Sequence, residues 1–141
     1  MNKVALKQIG LVEQSHVDDN WQQQQQDVHN RDLDPIYIDG TIRFQNIDQG
    51  QASLTESLAD DANGFVYKQS IQFTVRTEDD RALAKKYERR PLVVHVWTVD
   101  GNHYVIGTKS QPAYLMPDKT NNSNTVETAM KVDYETITPI M

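Results

Sequence analysis

Histidine is the residue type in this chain that can act as an acid, a base or a metal ligand near neutral pH. His16 and His29 lie in an acidic front segment, whereas His95 and His103 flank an Asp-Gly turn signal. Strands joined by such a turn pair with each other, so we expect His95 and His103 to approach one another, with Asp100 nearby. A zinc site needs three or four convergent ligands. We therefore expect the two histidines to be structural. A metal-dependent hydrolase that uses His95, His103 and nearby acidic residues is the alternative at this site.

The other residue types that carry catalysis lack the spacing that catalysis needs. The acidic stretches 27–34 and 60–64 miss the alternating ligands of a calcium loop, and their composition is typical of turns. No serine lies in a G-x-S-x-G elbow, and the six glycines form no phosphate-binding loop. Cysteine is absent, which excludes thiol catalysis and cysteine-ligated zinc. We predict a chain that is not an enzyme and holds no cofactor or metal.

Two groups of side chains are candidates for contact with a partner. Arg89 and Arg90, which follow Lys85 and Lys86, can bind an anion or an acidic protein surface. A solvated helix end explains the same residues, since basic side chains are expected there. Trp21 stands alone in a polar segment. It either anchors that segment on its own domain or inserts into a neighbouring subunit.

The chain that must position these groups differs between its front and its back. Residues 13–35 hold five consecutive glutamines, 22–26, among five aspartates. Such a segment buries too little apolar surface to offset its ordering entropy, so it predicts a loop or an arm that binds something. A solvated helical turn over the glutamines is the alternative. The apolar residues at 4–12 fit neither the helical nor the strand period, and this stretch predicts an edge strand or a docking arm.

From residue 36 onward, apolar and polar residues mostly alternate, which is typical of half-buried antiparallel strands. The alternation is clearest at 65–76. The run 92–99 is apolar on both faces and predicts a central strand with Trp97 in the core. Asp100-Gly101-Asn102 is the strongest hairpin signal. Further strands are predicted at 104–106, 114–116 and 126–135.

One short helix is predicted at about 78–90. Thr77 has the position of an N-cap, with acidic residues in the first turn, and Pro91 ends the pattern. The whole chain, 1–141, is expected to be a single domain with a β-rich body at 36–141. The predicted fold class is mainly β: an antiparallel β-sandwich or partly open barrel with one short α-helix.

Charge and hydropathy exclude some partners. The chain has 14 Lys and Arg against 20 Asp and Glu, with a formal net charge of -6. This balance argues against sequence-specific nucleic-acid binding. No apolar stretch approaches the ~20 residues of a membrane-spanning helix. The N-terminal sequence has no readable secretory signal, and we expect no membrane partner.

The order of short motifs in the second half of the chain resembles that of a known family. Residues 64–71 (GFVYKQSI) precede Arg89-Arg90-Pro91, and then come 92–94 (LVV), Asp100-Gly101 and 104–108 (YVIGT). This order is similar to that of small virion-structural proteins from prophages of Bacteroides-type bacteria, of the tail-tube or tail-assembly sort. The resemblance implies a ring-forming homo-oligomer with other tail or assembly proteins as partners, and no catalytic residues. It also implies a location in the virion, or in the bacterial cytoplasm before assembly.

We therefore expect a non-enzymatic structural subunit of a phage-derived, tail-like assembly that acts through self-association. The alternative is a stand-alone β-domain that binds a protein or carbohydrate partner through its loops. The predicted interaction residues lie in the front segment, at the helix end and in the polar loop 118–124, and they are Trp21, Gln22, Gln26, Arg89, Arg90, Asn121 and Asn122.

Overall fold

A computed structural model describes residues 2–16, 42–47, 50–61, 64–118, 128–137 and 139–141. Within these ranges the chain forms eight strands and one α-helix: β1 (Asn2–Glu13), β2 (Ile42–Arg43), β3 (Ser53–Asp61), β4 (Gly64–Val75), α1 (Glu78–Tyr87), β5 (Pro91–Thr98), β6 (His103–Ile106), β7 (Ala113–Pro117) and β8 (Thr128–Thr136). A 3-10 turn at Gln14–His16 follows β1.

Six of these strands close into an antiparallel barrel. β1 pairs with β3, β3 with β4, β4 with β8, β8 with β7 and β7 with β5, and β5 returns to β1. The other two strands extend this ring, because β2 pairs with β1 beyond β3 and β6 pairs with β5 beyond β7. The predicted class, mainly β with one short helix, is confirmed. The barrel is closed rather than partly open.

β1 is a barrel strand, so the expectation of an edge strand or a docking arm was wrong. It pairs with β2 and β3 on one side and with β5 on the other. Its register shifts between Leu6 and Gln8, so Leu6, Ile9 and Leu11 all face the core. This bulge explains why the apolar positions of β1 fit no single period. The polar front segment begins after this strand, because Glu13 ends β1, and residues 17–35 lie outside the described ranges.

The inward-facing apolar side chains of the barrel strands fill its interior. Phe44, just after β2, joins them, with its ring centroid 5.1 Å from that of Phe73. Removing this much apolar surface from water is the main source of stability in such a fold. The centre of the cluster consists of Leu6, Ile9, Leu11, Leu54, Ile71, Phe73, Val75, Leu92, Val94, Val96, Leu115, Met130 and Val132.

The helix α1 covers one end of the barrel. Its Ala84 and Tyr87 side chains are buried in the barrel core. Thr77 is the N-cap, as predicted, and its hydroxyl accepts a hydrogen bond of 3.2 Å from the backbone amide of Asp80. This contact satisfies one of the backbone donors that a helix start leaves unpaired.

The buried carboxylate of Asp80 ties the helix to the segment after β2. Its two oxygens accept hydrogen bonds from the backbone amides of Gln45 and Asn46, at 3.0 and 2.9 Å. Hydrogen bonds to an ionised acceptor are the stronger kind, and three backbone donors converge on this first helical turn. The start of α1 is therefore fixed both by its own cap and by contacts distant in sequence.

α1 ends at Tyr87, earlier than the predicted residue 90. Glu88 leaves helical geometry and forms a parallel bridge with Leu115 of β7. The Arg89 amide donates a hydrogen bond of 2.9 Å to the Leu115 carbonyl oxygen. This pairing turns the backbone, and Arg89 is the one non-glycine residue of the described ranges with a positive φ, 62°.

The end of the barrel opposite α1 carries two turns. β4 runs from the β3–β4 turn to the helix, and β5 runs from the helix to the turn at residues 99–102. β3 and β4 pair with each other as far as Asp61 and Gly64. Their neighbours end earlier, because β1 pairs with β3 only as far as Glu56 and β8 pairs with β4 only as far as Tyr67. Residues 57–61 and 64–66 therefore extend past the barrel, and we call them the projecting hairpin.

Candidate functional site

A row of stacked rings lies on the outer face of β5 and β6. The register of these strands pairs Trp97 with His103 and brings His95 beside them. As expected from the hairpin signal, the two histidines meet: His95 Nδ1 and His103 Nε2 are 2.9 Å apart and buried. The Trp97 and His103 rings are stacked with centroids 4.8 Å apart. The guanidinium carbon of Arg43 lies 4.6 Å from the Trp97 ring centroid.

The electrostatics of this row hold His95 in its uncharged form. Burial lowers the pKa of His95 well below its ordinary value, and the neighbouring His103 and Arg43 lower it further. The Asp100 carboxylate accepts a hydrogen bond from the Thr98 hydroxyl in the turn. In the described part of the chain, no group of three or more acidic or histidine side chains could hold a metal ion. The row has the geometry of a packing contact between β2, β5 and β6.

Trp97 lies on this outer face, so the expectation of a core tryptophan was wrong. Its side chain is partly exposed, while the inward positions of β5 are filled by Val94 and Val96. The outward residues Val93 and His95 are buried as well. Because β5 is covered on both faces, its composition does not distinguish the core side from the outer side.

Four exposed cations gather where α1 ends, and we call them the basic cluster: Lys85, Lys86, Arg89 and Arg90. Arg90 makes an ion pair of 3.1 Å with Glu13, and Arg89 makes one of 3.8 Å with Glu88. Lys85 makes no ion pair with a residue that the structure describes. Lys86 and Arg90 both lie over the Tyr87 ring, 5.4 and 5.8 Å from its centroid, and the predicted interaction residue Arg89 is the chain neighbour of Arg90.

Large apolar side chains gather at the opposite end of the barrel. By alternation Leu58 and Phe65 face inward, but they lie beyond the last paired residues of β1 and β8 and are 56% and 64% exposed. Val99 in the β5–β6 turn is 49% exposed, and Ile137 after β8 is 83% exposed. We call these four residues the apolar end. Tyr114 of β7 is the fifth exposed large hydrophobic residue within the described ranges.

The sequence contains one signal for this surface, the length of the alternating run that becomes β4. The alternation predicted inward-facing residues correctly, but burial also requires a neighbouring strand to cover them. β4 has twelve residues, about twice the usual ~5–6 for a strand. β8 is shorter and stops at the level of Tyr67, whereas β1 pairs with β3 only from Asn2 to Ala5 and then continues along β5. The apolar residues Leu58 and Phe65 therefore become exposed.

Below the apolar end, a buried polar network closes the barrel. The Glu56 carboxylate accepts a hydrogen bond of 2.8 Å from Gln69 Nε2, which also donates to the Thr136 hydroxyl at 2.9 Å. Glu56 further accepts hydrogen bonds from the backbone amides of Ile140 and Met141, at 2.8 and 3.4 Å. This network explains the one polar inward position of β4, since a buried carboxylate needs a donor.

An open polar groove runs along the outer face of β3, β4 and β8. It encloses about 660 Å³. The Lys68 ammonium and the Glu135 carboxylate lie 3.9 Å apart at its wall. The side chains from the outward positions of these strands provide hydroxyls and charges, and they are Thr55, Ser57, Lys68, Ser70, Asp133 and Glu135.

The remaining predicted interaction residues, Trp21, Gln22, Gln26, Asn121 and Asn122, lie outside the described residues. Comparisons with protein-family models, with curated proteins and with solved structures give no match to this chain. Among the described residues, no helix has the length and apolar character needed to span a membrane.

Proposed function

We propose that this chain is a non-enzymatic structural subunit of a phage-derived, tail-like assembly and that it acts through self-association. The order of motifs between residues 64 and 108 supports the phage origin. The observation that carries self-association is the apolar end, since four of the five exposed large hydrophobic residues of the described ranges lie at this one end of the barrel. Exposed large apolar side chains concentrated on one part of a protein are typical of a protein–protein contact.

The architecture favours association through the barrel ends. The six barrel strands pair on both sides, so within the described residues a copy can extend the sheet only at the short outer strands β2 and β6. Leu58 and Phe65 protrude on a hairpin instead, where a second protein can cover them. Burying one such side chain contributes about 1.5–3 kcal/mol, and a few well-buried anchors carry most of the energy of an interface.

The test is the oligomeric state of the protein measured by size-exclusion chromatography with light scattering over a wide concentration range. We expect oligomers for the parent protein and a monomer for the double variant Leu58→Ser with Phe65→Ser. The control is the double variant Gln51→Ser with Gln72→Ser, which shortens two exposed side chains on the barrel wall, away from both barrel ends, and should leave the oligomer intact. A parent protein that stays monomeric at high micromolar concentration contradicts the proposal.

The second candidate is a stand-alone β-domain that binds a carbohydrate partner, and the polar groove favours it. Its hydroxyls and charged groups match the hydrogen-bonding capacity of a sugar, although it lies on the sheet face rather than in the loops. Ser70→Tyr would fill the groove from its floor. A monomeric protein that binds a glycan, and loses it on this substitution, would support this candidate over self-association.

A further inference from the structure

We propose that copies of this chain associate head to tail, with the projecting hairpin of one copy bound to the basic cluster of the next. This inference rests on the proposed function and names the two surfaces that meet. The two surfaces lie at opposite ends of the barrel, because β4 begins at the hairpin and leads to α1, which ends at the basic cluster. One copy can therefore use both surfaces at the same time.

The charges of the two surfaces are opposite. Residues 81–90 contain five cations and one anion, although the whole chain has a net charge of -6. Residues 59–66 contain two aspartates, Asp60 and Asp61, and no cation. The hairpin of a second copy is thus a partner of complementary charge that is present whenever the protein is concentrated. Such complementarity speeds association and fixes its orientation.

The chemistry of the hairpin tip suits arginine in particular. Asp60 is the cross-strand partner of Phe65, so a carboxylate and an exposed aromatic ring lie side by side. A guanidinium group can pair with the carboxylate and stack on the ring, which an ammonium group does less well. The basic cluster already shows this kind of stacking, since the Arg90 guanidinium carbon lies 5.8 Å from the Tyr87 ring centroid.

The backbone at Arg89 supports a role for its side chain. With φ at 62°, this residue has the left-handed conformation that glycine adopts without strain. The stabilising effect of basic residues on a helix dipole accounts for Lys85 and Lys86 inside the last turn, but Arg89 lies beyond α1. An arginine at a strained, exposed position is typical of a side chain that makes a functional contact.

A contact between two different surfaces is heterologous. Each copy then offers one hairpin and one basic cluster, so the assembly either closes into a ring or continues as a filament. A contact between two apolar ends would be isologous and would stop at a dimer. The head-to-tail contact requires the basic cluster for self-association, whereas the contact between two apolar ends does not.

The experiment compares three double variants with the parent protein by sedimentation velocity at low and high salt. The helix variant is Lys85→Glu with Arg89→Glu, and the hairpin variant is Asp60→Lys with Asp61→Lys. The control, Lys7→Glu with Lys131→Glu, makes the same charge change as the helix variant on the side of the barrel. Thermal melts by circular dichroism establish that each variant is folded.

We expect the helix variant and the hairpin variant each to self-associate at least about tenfold more weakly than the parent protein and the control. Mixing the two variants should restore assembly, because an acidic hairpin again meets a basic cluster. Association of the parent should weaken with salt as the charges are screened. A helix variant that assembles like the parent overturns the head-to-tail contact and leaves self-association standing. A parent protein that stays monomeric overturns both the head-to-tail contact and the proposed self-association.

Discussion

Glu56 and Gln69 are directly opposed in the β3–β4 pairing, and the Gln69 amide donates a hydrogen bond of 2.8 Å to the Glu56 carboxylate inside the barrel. Both side chains are buried. The same carboxylate also accepts hydrogen bonds from the amides of Ile140 and Met141. The base of the projecting hairpin, the barrel core and the C-terminal residues are therefore held together at one point.

Replacing only Gln69, the hydrogen-bond donor, should destabilise the protein more than replacing both Gln69 and Glu56. Gln69→Leu leaves the buried carboxylate with fewer donors, and we expect a loss of about 3 kcal/mol in the free energy of unfolding. Glu56→Leu with Gln69→Leu should recover part of that loss, since two apolar side chains need no partner. Urea unfolding of the single and double variants measures this coupling. Additive losses would contradict it.

The free energy of unfolding should fall as the pH drops below the ordinary pKa of histidine. The folded protein holds the pKa of His95 well below 6.5, so the unfolded chain takes up a proton in this range that the folded chain does not. The contribution of uncharged His95 to the free energy of unfolding is fully present above about pH 6.5. Below that pH the free energy of unfolding falls by up to about 1.4 kcal/mol per pH unit.

Denaturant unfolding at a series of pH values measures this loss. His95→Gln is the matched variant, because it keeps a polar side chain but does not titrate. We expect a flatter pH dependence for this variant than for the parent protein. Parallel curves would show that His95 is not the group responsible.

Trp97→Ala should destabilise the protein less than a core substitution does. Its ring is partly exposed and packs against His103 and Arg43, so we expect a loss of about 1–3 kcal/mol. Phe73→Ala removes a fully buried ring and should cost about 3–5 kcal/mol. Chemical denaturation of both variants gives the comparison. Equal losses would place Trp97 among the core residues.

Arg89→Gly should make the isolated subunit more stable and the assembly weaker. Glycine relieves the left-handed backbone at this position, and after its own entropy cost we expect a gain of about 0.5–1 kcal/mol. Arg90→Gly is the control, because it has no positive φ to relieve and loses the ion pair with Glu13. Melting temperatures and sedimentation of both variants test the trade-off. A destabilised Arg89→Gly would remove the strain argument.

Local sequence patterns predicted most of the elements, because alternation and capping depend on neighbouring residues. The strand at 92–99, the hairpin at Asp100-Gly101 and the N-cap at Thr77 are examples. The helix end was wrong, since α1 stops where Glu88 pairs with Leu115, a contact distant in sequence. The segment that forms β1 was predicted as an edge strand or a docking arm rather than a barrel strand, because its bulge shifts the period.

The two candidate surfaces also differ in how far local sequence predicts them. Arg89 and Arg90 were predicted as interaction residues from their place after the helix, which is a local property. The exposure of Leu58 and Phe65 depends on where β1 and β8 end, and the only sign of this in the sequence is the length of the alternating run that becomes β4. The opposition of the two surfaces follows from the path of β4 and becomes visible only once the barrel is closed.

The unbroken course of β4 also sets a length. A strand rises about 3.3 Å per residue, so its twelve residues measure on the order of 40 Å, or roughly 30 Å along the axis of a tilted barrel. β4 spans the distance between the two ends of the barrel, because it begins in the projecting hairpin and ends just before α1. Copies stacked end on end would repeat at that axial spacing, which an electron micrograph of negatively stained fibres can measure.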